Sequence, residues 1–157
     1  MKIYRFQKQK YATPESILSG QGAFLVGGRW NKRFTPLVYT STTPELALLE
    51  TLVHLEGTPY QDLPPMSLAI LEIPDDSVLE VKIKELPTNW QEMPAPLSTQ
   101  LFTQTWLNEK KFLALKIPSV ILPISFNVVL NPLHSRISNL KILDIQTFSF
   151  DSRLTTK

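Results

Sequence analysis

The sequence predicts one α+β domain over residues 1–157, a mixed and mostly antiparallel array of short strands with a few helices. Three observations point there. The chain carries 43% hydrophobic against 19% charged residues, enough apolar material for a core. Short β-branched and aromatic segments recur between turn signals, with thirteen prolines spread as punctuation and no repeat. Two stretches carry helical rather than alternating periodicity.

Taken in order, Lys2 to Phe6 reads as a strand and Gln7 to Phe34 as an irregular stretch with a helical turn at Pro14 to Leu18. Leu37-Val38-Tyr39-Thr40 reads as the next strand. A helix follows, with Thr42 and Glu45 as a capping box, Pro44 in its first turn, and Leu46, Leu49 and Val53 at helical spacing; it should end near Glu56-Gly57. Met66 to Ile73 and Ser77 to Ile83 are strands about a Pro74-Asp75-Asp76 turn, expected as a hairpin or as neighbours. A second helix runs from Ser98, as N-cap, to Lys110, with Leu101, Phe102, Thr105 and Trp106 inward. Phe112 to Ile117, Val120 to Leu122, Asn127 to Leu130 and Lys141 to Phe150 complete the strands.

Charge and composition exclude several chemistries. The formal net charge is +2 with no run of Lys or Arg, a weak footprint for nucleic acid. Without cysteine there is no disulfide framework, thiolate nucleophile or Cys-ligated zinc, and two histidines make a poor metal cluster. Met1 to Arg5 carries no signal segment, and no apolar run reaches the ~18 residues of a membrane span, so a cytoplasmic protein is expected.

Five glycines occur in the chain, and four of them, Gly20, Gly22, Gly27 and Gly28, precede Arg29. Gly27-Gly28-Arg29-Trp30-Asn31 therefore reads as a loop shaped around an anion, with Arg29 as its fixed cation and Asn31 as an amide donor, or else as a surface arginine stacked on Trp30. Glu50 falls in an apolar helical stripe, where a carboxylate must meet a cation, reach solvent, pair with His54, or serve a substrate. Tyr39 ends a strand that turns into the Glu50 helix, placed to stack on a planar ring or to sit in the core. Ser41 could cap that helix or bind a ligand. Ser119, Asn127 and Asn131 are polar residues in an apolar stretch and need partners, Asn131-Pro132 being most simply a turn. His134 reads as a loop histidine.

Together, Tyr4-Arg5, Gly27-Gly28-Arg29-Trp30-Asn31, Val38-Tyr39-Thr40-Ser41, Ala47-Leu48-Leu49-Glu50, Ile117-Pro118-Ser119 and Asn127-Val128-Val129-Leu130-Asn131-Pro132-Leu133-His134 resemble the RES domain family. The resemblance covers nearly the whole chain and extends to Phe150-Asp151-Ser152-Arg153-Leu154. The arginine, glutamate and serine that name the family match Arg29, Glu50 and Ser119. The resemblance implies a fold similar to ADP-ribosyltransferases and the toxin of a bacterial type II toxin-antitoxin pair. Such a toxin degrades NAD, its substrate, by cleaving the nicotinamide-ribose bond through hydrolysis or, with phosphate, phosphorolysis. No prosthetic group or metal is implied. The implied partner is an Xre-like antitoxin, through which any nucleic-acid contact would come, and no membrane is involved.

By the same resemblance, Arg29 binds the dinucleotide, Tyr39 stacks near the nicotinamide, Glu50 acts at the nicotinamide ribose, and Ser119 and Asn131 shape the pocket, with Ser41 counted beside them as a ligand-binding candidate. Two alternatives stay open: ADP-ribosyl transfer to a macromolecule, and a non-catalytic nucleotide-binding or protein-interaction module. The chain departs from the family pattern at Lys32-Arg33-Phe34-Thr35, where a glycine is expected, at Ser135, where proline is, and at Thr103 in the second helix.

Overall fold

The computed structural model describes residues 1–55, 58–59 and 62–154. Its strands are β1 (Lys2–Lys8), β2 (Val38–Ser41), β3 (Met66–Glu72), β4 (Val78–Glu80), β5 (Ala114–Pro118), β6 (Phe126–Leu130) and β7 (Lys141–Phe148). Its helices are α1 (Pro14–Ile17), α2 (Gln21–Val26), α3 (Pro44–His54) and α4 (Leu97–Glu109). The strands form one sheet in the order β4-β5-β6-β2-β1-β3-β7, in which only β4 and β5 run parallel. This is the expected α+β class with a mixed, mostly antiparallel sheet.

Alternation along the central strands fills two cores. Ala114, Val128 and Leu130 join Ile3, Ala69 and Leu71 on one face, while Leu115, Ile117 and Val129 join Trp30, Trp90 and Trp106 on the other. A sheet buried on both faces reads as near-continuous apolar runs, which is how these strands appear in sequence.

The sheet is not uniform. β1 pairs with β3 over its full length, from Lys2–Glu72 to Lys8–Met66, yet meets β2 at the single register pair Tyr4–Ser41. Beyond that pair the two strands part. The carbonyl of Tyr39 loses a ladder partner there, and the Arg5 guanidinium takes its place, donating through Nη1 at 2.8 Å.

Several sequence expectations change. Thr43, not Thr42, caps α3, its hydroxyl accepting from the Leu46 amide at 3.2 Å, while the Thr42 hydroxyl donates to the Phe126 carbonyl. The expected end of α3 at Glu56-Gly57 lies outside the described residues. β3 and β4 form no hairpin, because both edges of β3 are occupied by β1 and β7 and the chain crosses to pair with β5. In α4 the N-cap is Pro96, since the Ser98 hydroxyl donates to Asn89 at 2.7 Å. Its buried face is Thr99, Thr103 and Trp106, with Leu101 and Thr105 exposed. Val120 to Leu122 is loop rather than strand, and α2, which sequence left within an irregular stretch, is a helix.

The glycine missing from Lys32–Thr35 also has a structural counterpart. Phe34 takes φ +67°, and its ring packs edge-on against Phe24 with centroids 5.6 Å apart. A left-handed conformation costs a side-chain-bearing residue about 1–2 kcal/mol, and an aromatic pair returns about 0.5–1.5 kcal/mol. Phe34→Gly is therefore expected to stay within about 1 kcal/mol of the parent in a denaturant midpoint experiment. Phe34→Val keeps the strain and loses the ring, and is expected to cost about 2 kcal/mol.

Candidate functional site

The cleft opens where β1 and β2 separate, with α3 lying across it. Its walls are Tyr4, Arg5, Phe6, Tyr39, Ser41, Glu50, His54 and Asn127, among others, around a volume of about 180 Å³. Glu50 reaches it because Ala47 and Leu46, on the same side of α3, are buried against the sheet, while Val53 turns outward and is exposed. Helical spacing then leaves Glu50 half-buried above the strand ends.

Two donors converge on one oxygen of that carboxylate. Ser119 Oγ donates to Glu50 Oε1 at 2.8 Å, and Asn127 Nδ2 donates to the same oxygen through a short hydrogen bond. Ser119 is fully buried, and its Oγ accepts from the amides of Ile121 and Leu122, each at 3.1 Å. Those amides are the ones a strand over Val120 to Leu122 would have needed for a ladder, so the serine's capture of them makes the segment a turn. Ser41 Oγ in turn donates to Asn127 Oδ1 at 2.7 Å.

Arg5 supplies the cleft's cation. Its Nε donates to Gln7 at 2.9 Å and its Nη1 to the Tyr39 carbonyl, and no carboxylate pairs with it among the described residues. Burial alone pulls the guanidinium down to about 10, which still leaves it charged at neutral pH. A half-buried cation without a carboxylate partner is costly and marks a place where an anionic ligand fits.

The glycine-rich loop folds tightly behind Tyr39. Gly27, at φ +77°, ends α2, and Gly28 pairs with Asn31 across the turn. Asn31 is buried, its Nδ2 serving the carbonyls of Ala23, Lys32 and Thr35 and its Oδ1 accepting from Tyr39 Oη at 2.7 Å. It holds the loop together, correcting its reading as a free donor to ligand. The Trp30 amide donates to the same Tyr39 hydroxyl, and burial raises the phenol well above its usual range, so it stays protonated.

A Cβ at Gly28 would lie 2.7 Å from Tyr39 Oη and 3.1 Å from Asn31 Oδ1. Gly28→Ala is expected to break that hydrogen bond and cost about 1–3 kcal/mol, read as a lower melting temperature. An unchanged melting temperature would contradict this reading of the turn.

Arg29 is engaged elsewhere. Its Nη1 donates to the carbonyls of Trp90 at 2.6 Å and Glu92 at 3.0 Å, and Nη2 to Met93 Sδ at 2.8 Å. The loop backbone is gripped in return, Thr99 donating to the Arg29 carbonyl and Gln100 to that of Gly28. Burial lowers the Arg29 guanidinium, and the charge of Glu50 partly offsets this, so it belongs to the same electrostatic neighbourhood without lining the cleft.

Among the residues singled out from sequence, the structure thus brings Tyr39, Ser41 and Glu50 to the cleft, with Ser119 bonded to Glu50. Asn131 stands apart, past the far end of β6 and roughly 13 Å of strand from Asn127. Its Oδ1 accepts from the Leu133 amide and its own amide donates to Leu113, a turn role in place of the expected pocket position. Sequence reading missed Arg5 and Asn127 as site residues, although both lay within quoted motifs. His134 is also buried in this turn, with Nε2 on the Lys110 carbonyl.

Comparison with known proteins agrees over the whole fold. The chain is 34% identical over 155 residues to "Toxin Res" of Yersinia enterocolitica, covering 98% of this chain and 99% of that protein. It is 36% identical to "Toxin Res" of Photorhabdus laumondii, covering 98% and 97% of the two chains. It is also 32% identical to the "Prs ADP-ribosylating toxin" of a Sphingobium strain, covering 89% and 88%. Its fold is similar to a chain in the crystal structure of the M. tuberculosis MbcT-MbcA toxin-antitoxin complex, with a TM-score of 0.76, 15% identity and coverage of 94% and 84%. The profile of the RES domain matches residues 2–151. The chain therefore belongs to the RES domain family.

Proposed function

We propose that this RES-family protein is the toxin of a toxin-antitoxin pair and an enzyme that cleaves the nicotinamide-ribose bond of NAD in the β1–β2 cleft. The observation that carries the reading is a half-buried carboxylate and a half-buried arginine lining one cleft, the arginine without a carboxylate partner among the described residues. NAD joins an anionic pyrophosphate to a cationic pyridinium ribose, and such a cleft is complementary to both. The names of the Yersinia, Photorhabdus and Sphingobium relatives support a toxin, and the mycobacterial complex supports an antitoxin partner.

In this reading Arg5 holds the pyrophosphate and Tyr39 lies along the nicotinamide. As the bond from C1′ to the pyridinium nitrogen breaks, both electrons leave with nicotinamide, now neutral, and positive charge develops on the ribose. Glu50 stabilises that charge. Water then attacks C1′ and gives up a proton, yielding ADP-ribose, or a phosphate oxygen attacks in its place. Positioning and electrostatics do most of the work, because the leaving group needs no protonation.

Purified protein, free of antitoxin, is expected to release nicotinamide from NAD, and a requirement for phosphate would select phosphorolysis. No release with or without phosphate would contradict the proposal. The name of the Sphingobium relative favours a second reading, ADP-ribosyl transfer, in which NAD labelled on its adenylate would mark a macromolecule.

A further inference from the structure

We infer that Ser41 and Asn127 form a relay that fixes the Glu50 carboxylate with Oε2, rather than Oε1, facing the substrate. The inference rests on the proposal that Glu50 is the reacting carboxylate, and it assigns Ser41 a positioning role in place of ligand binding.

The argument begins with asymmetry. A carboxylate offers about four acceptor sites over its two oxygens. Here both donors converge on Oε1, from Ser119 Oγ and Asn127 Nδ2, and Oε2 accepts no hydrogen bond among the described residues. Neither donor can readily turn away. Ser119 Oγ already accepts two backbone amides, so its one hydrogen is left for Glu50.

Asn127 could in principle rotate its amide by half a turn, placing Oδ1 against the carboxylate. Two acceptors would then repel at hydrogen-bond distance. The acceptor-only carboxylate therefore sets the sense of the amide, and Ser41 anchors the amide in that sense by donating to Oδ1. The pairing is built into the sheet: Ser41 and Asn127 are direct cross-strand partners of β2 and β6, with side chains on one face. Ser41 is buried, and its hydrogen is committed to the amide. With Oε1 saturated, Oε2 is the oxygen left to meet positive charge developing on a ribose.

Steady-state kinetics on the full chain test this. Ser41→Ala is expected to lower kcat roughly 10-fold with KM for NAD nearly unchanged, and Asn127→Ala to lower kcat roughly 100-fold. The double variant should be no slower than Asn127→Ala alone, because Ser41 acts only through the amide. A raised KM at constant kcat in Ser41→Ala would make Ser41 a ligand contact and overturn the relay, as would losses that multiply in the double variant.

A second measurement does not depend on turnover. The Asn127 side-chain amide resonances should shift in both Ser41→Ala and Glu50→Gln, and insensitivity to either change overturns the relay. A parent protein inert toward NAD overturns the functional reading and with it the assignment of the reacting oxygen, while the amide resonances still decide the relay itself.

Discussion

Glu50→Gln is expected to lower the rate of nicotinamide release by about 10²–10³-fold while leaving NAD affinity within a few-fold of the parent. The size follows from what removing one preorganised electrostatic group costs in other active sites. The fold should survive, because an amide oxygen can still accept from both Ser119 and Asn127. What disappears is the negative charge opposite the ribose. Single-turnover rates and equilibrium binding separate the two quantities, and a variant that loses binding and rate in equal proportion would make Glu50 a binding residue only.

The second large effect is expected at Arg5. Arg5→Gln keeps a donor for the Tyr39 carbonyl but removes the cation, and is expected to raise KM for NAD roughly 10- to 100-fold with a smaller change in kcat. Arg29→Ala is expected to act differently. Its guanidinium spans the carbonyls of Trp90 and Glu92, so its removal should loosen that loop and lower the melting temperature before it alters affinity. If Arg29→Ala weakened NAD binding far more than Arg5→Gln, in variants of equal stability, the cation of the site would be Arg29 after all.

That ranking shows how far the sequence reaches. α3 and its carboxylate were legible because Pro44 and a neighbouring threonine mark the helix start and Glu50 interrupts an apolar stripe. The central strands were legible from their β-branched content. Ser119 was legible as a polar residue in an apolar stretch and from its motif, yet its structural part, capturing two amides that would otherwise extend β5, is a contact no periodicity records. α4 was legible in part: Trp106 and Phe102 pack on the core as read, but the helix also turns Thr99 and Thr103 inward, whose hydroxyls serve the Arg29 and Thr99 carbonyls, and leaves Leu101 and Thr105 exposed.

The separation of β1 from β2 is what sequence could not show. Nothing in Tyr4-Arg5 or Tyr39-Thr40-Ser41 reveals that the strands meet at one pair and then part, and without the split Arg5 is an ordinary strand residue. Asn127 is hidden in the same way, because its partner Glu50 lies 77 residues away along the chain. The glycine-rich loop conveyed the right neighbourhood with the wrong detail. It supports Tyr39 from behind, through Gly28, Trp30 and Asn31, and sends its arginine to a neighbouring loop.

The central claim is that the dinucleotide sits in the β1–β2 cleft with its nicotinamide ribose against Glu50. The most direct measurement is a crystal structure of the slow Glu50→Gln variant with NAD bound. The expected result is pyrophosphate on the Arg5 guanidinium, the nicotinamide beside Tyr39, and C1′ of its ribose facing the side-chain atom that replaces Oε2. NAD bound at any other surface, with this cleft left to solvent, would contradict the account.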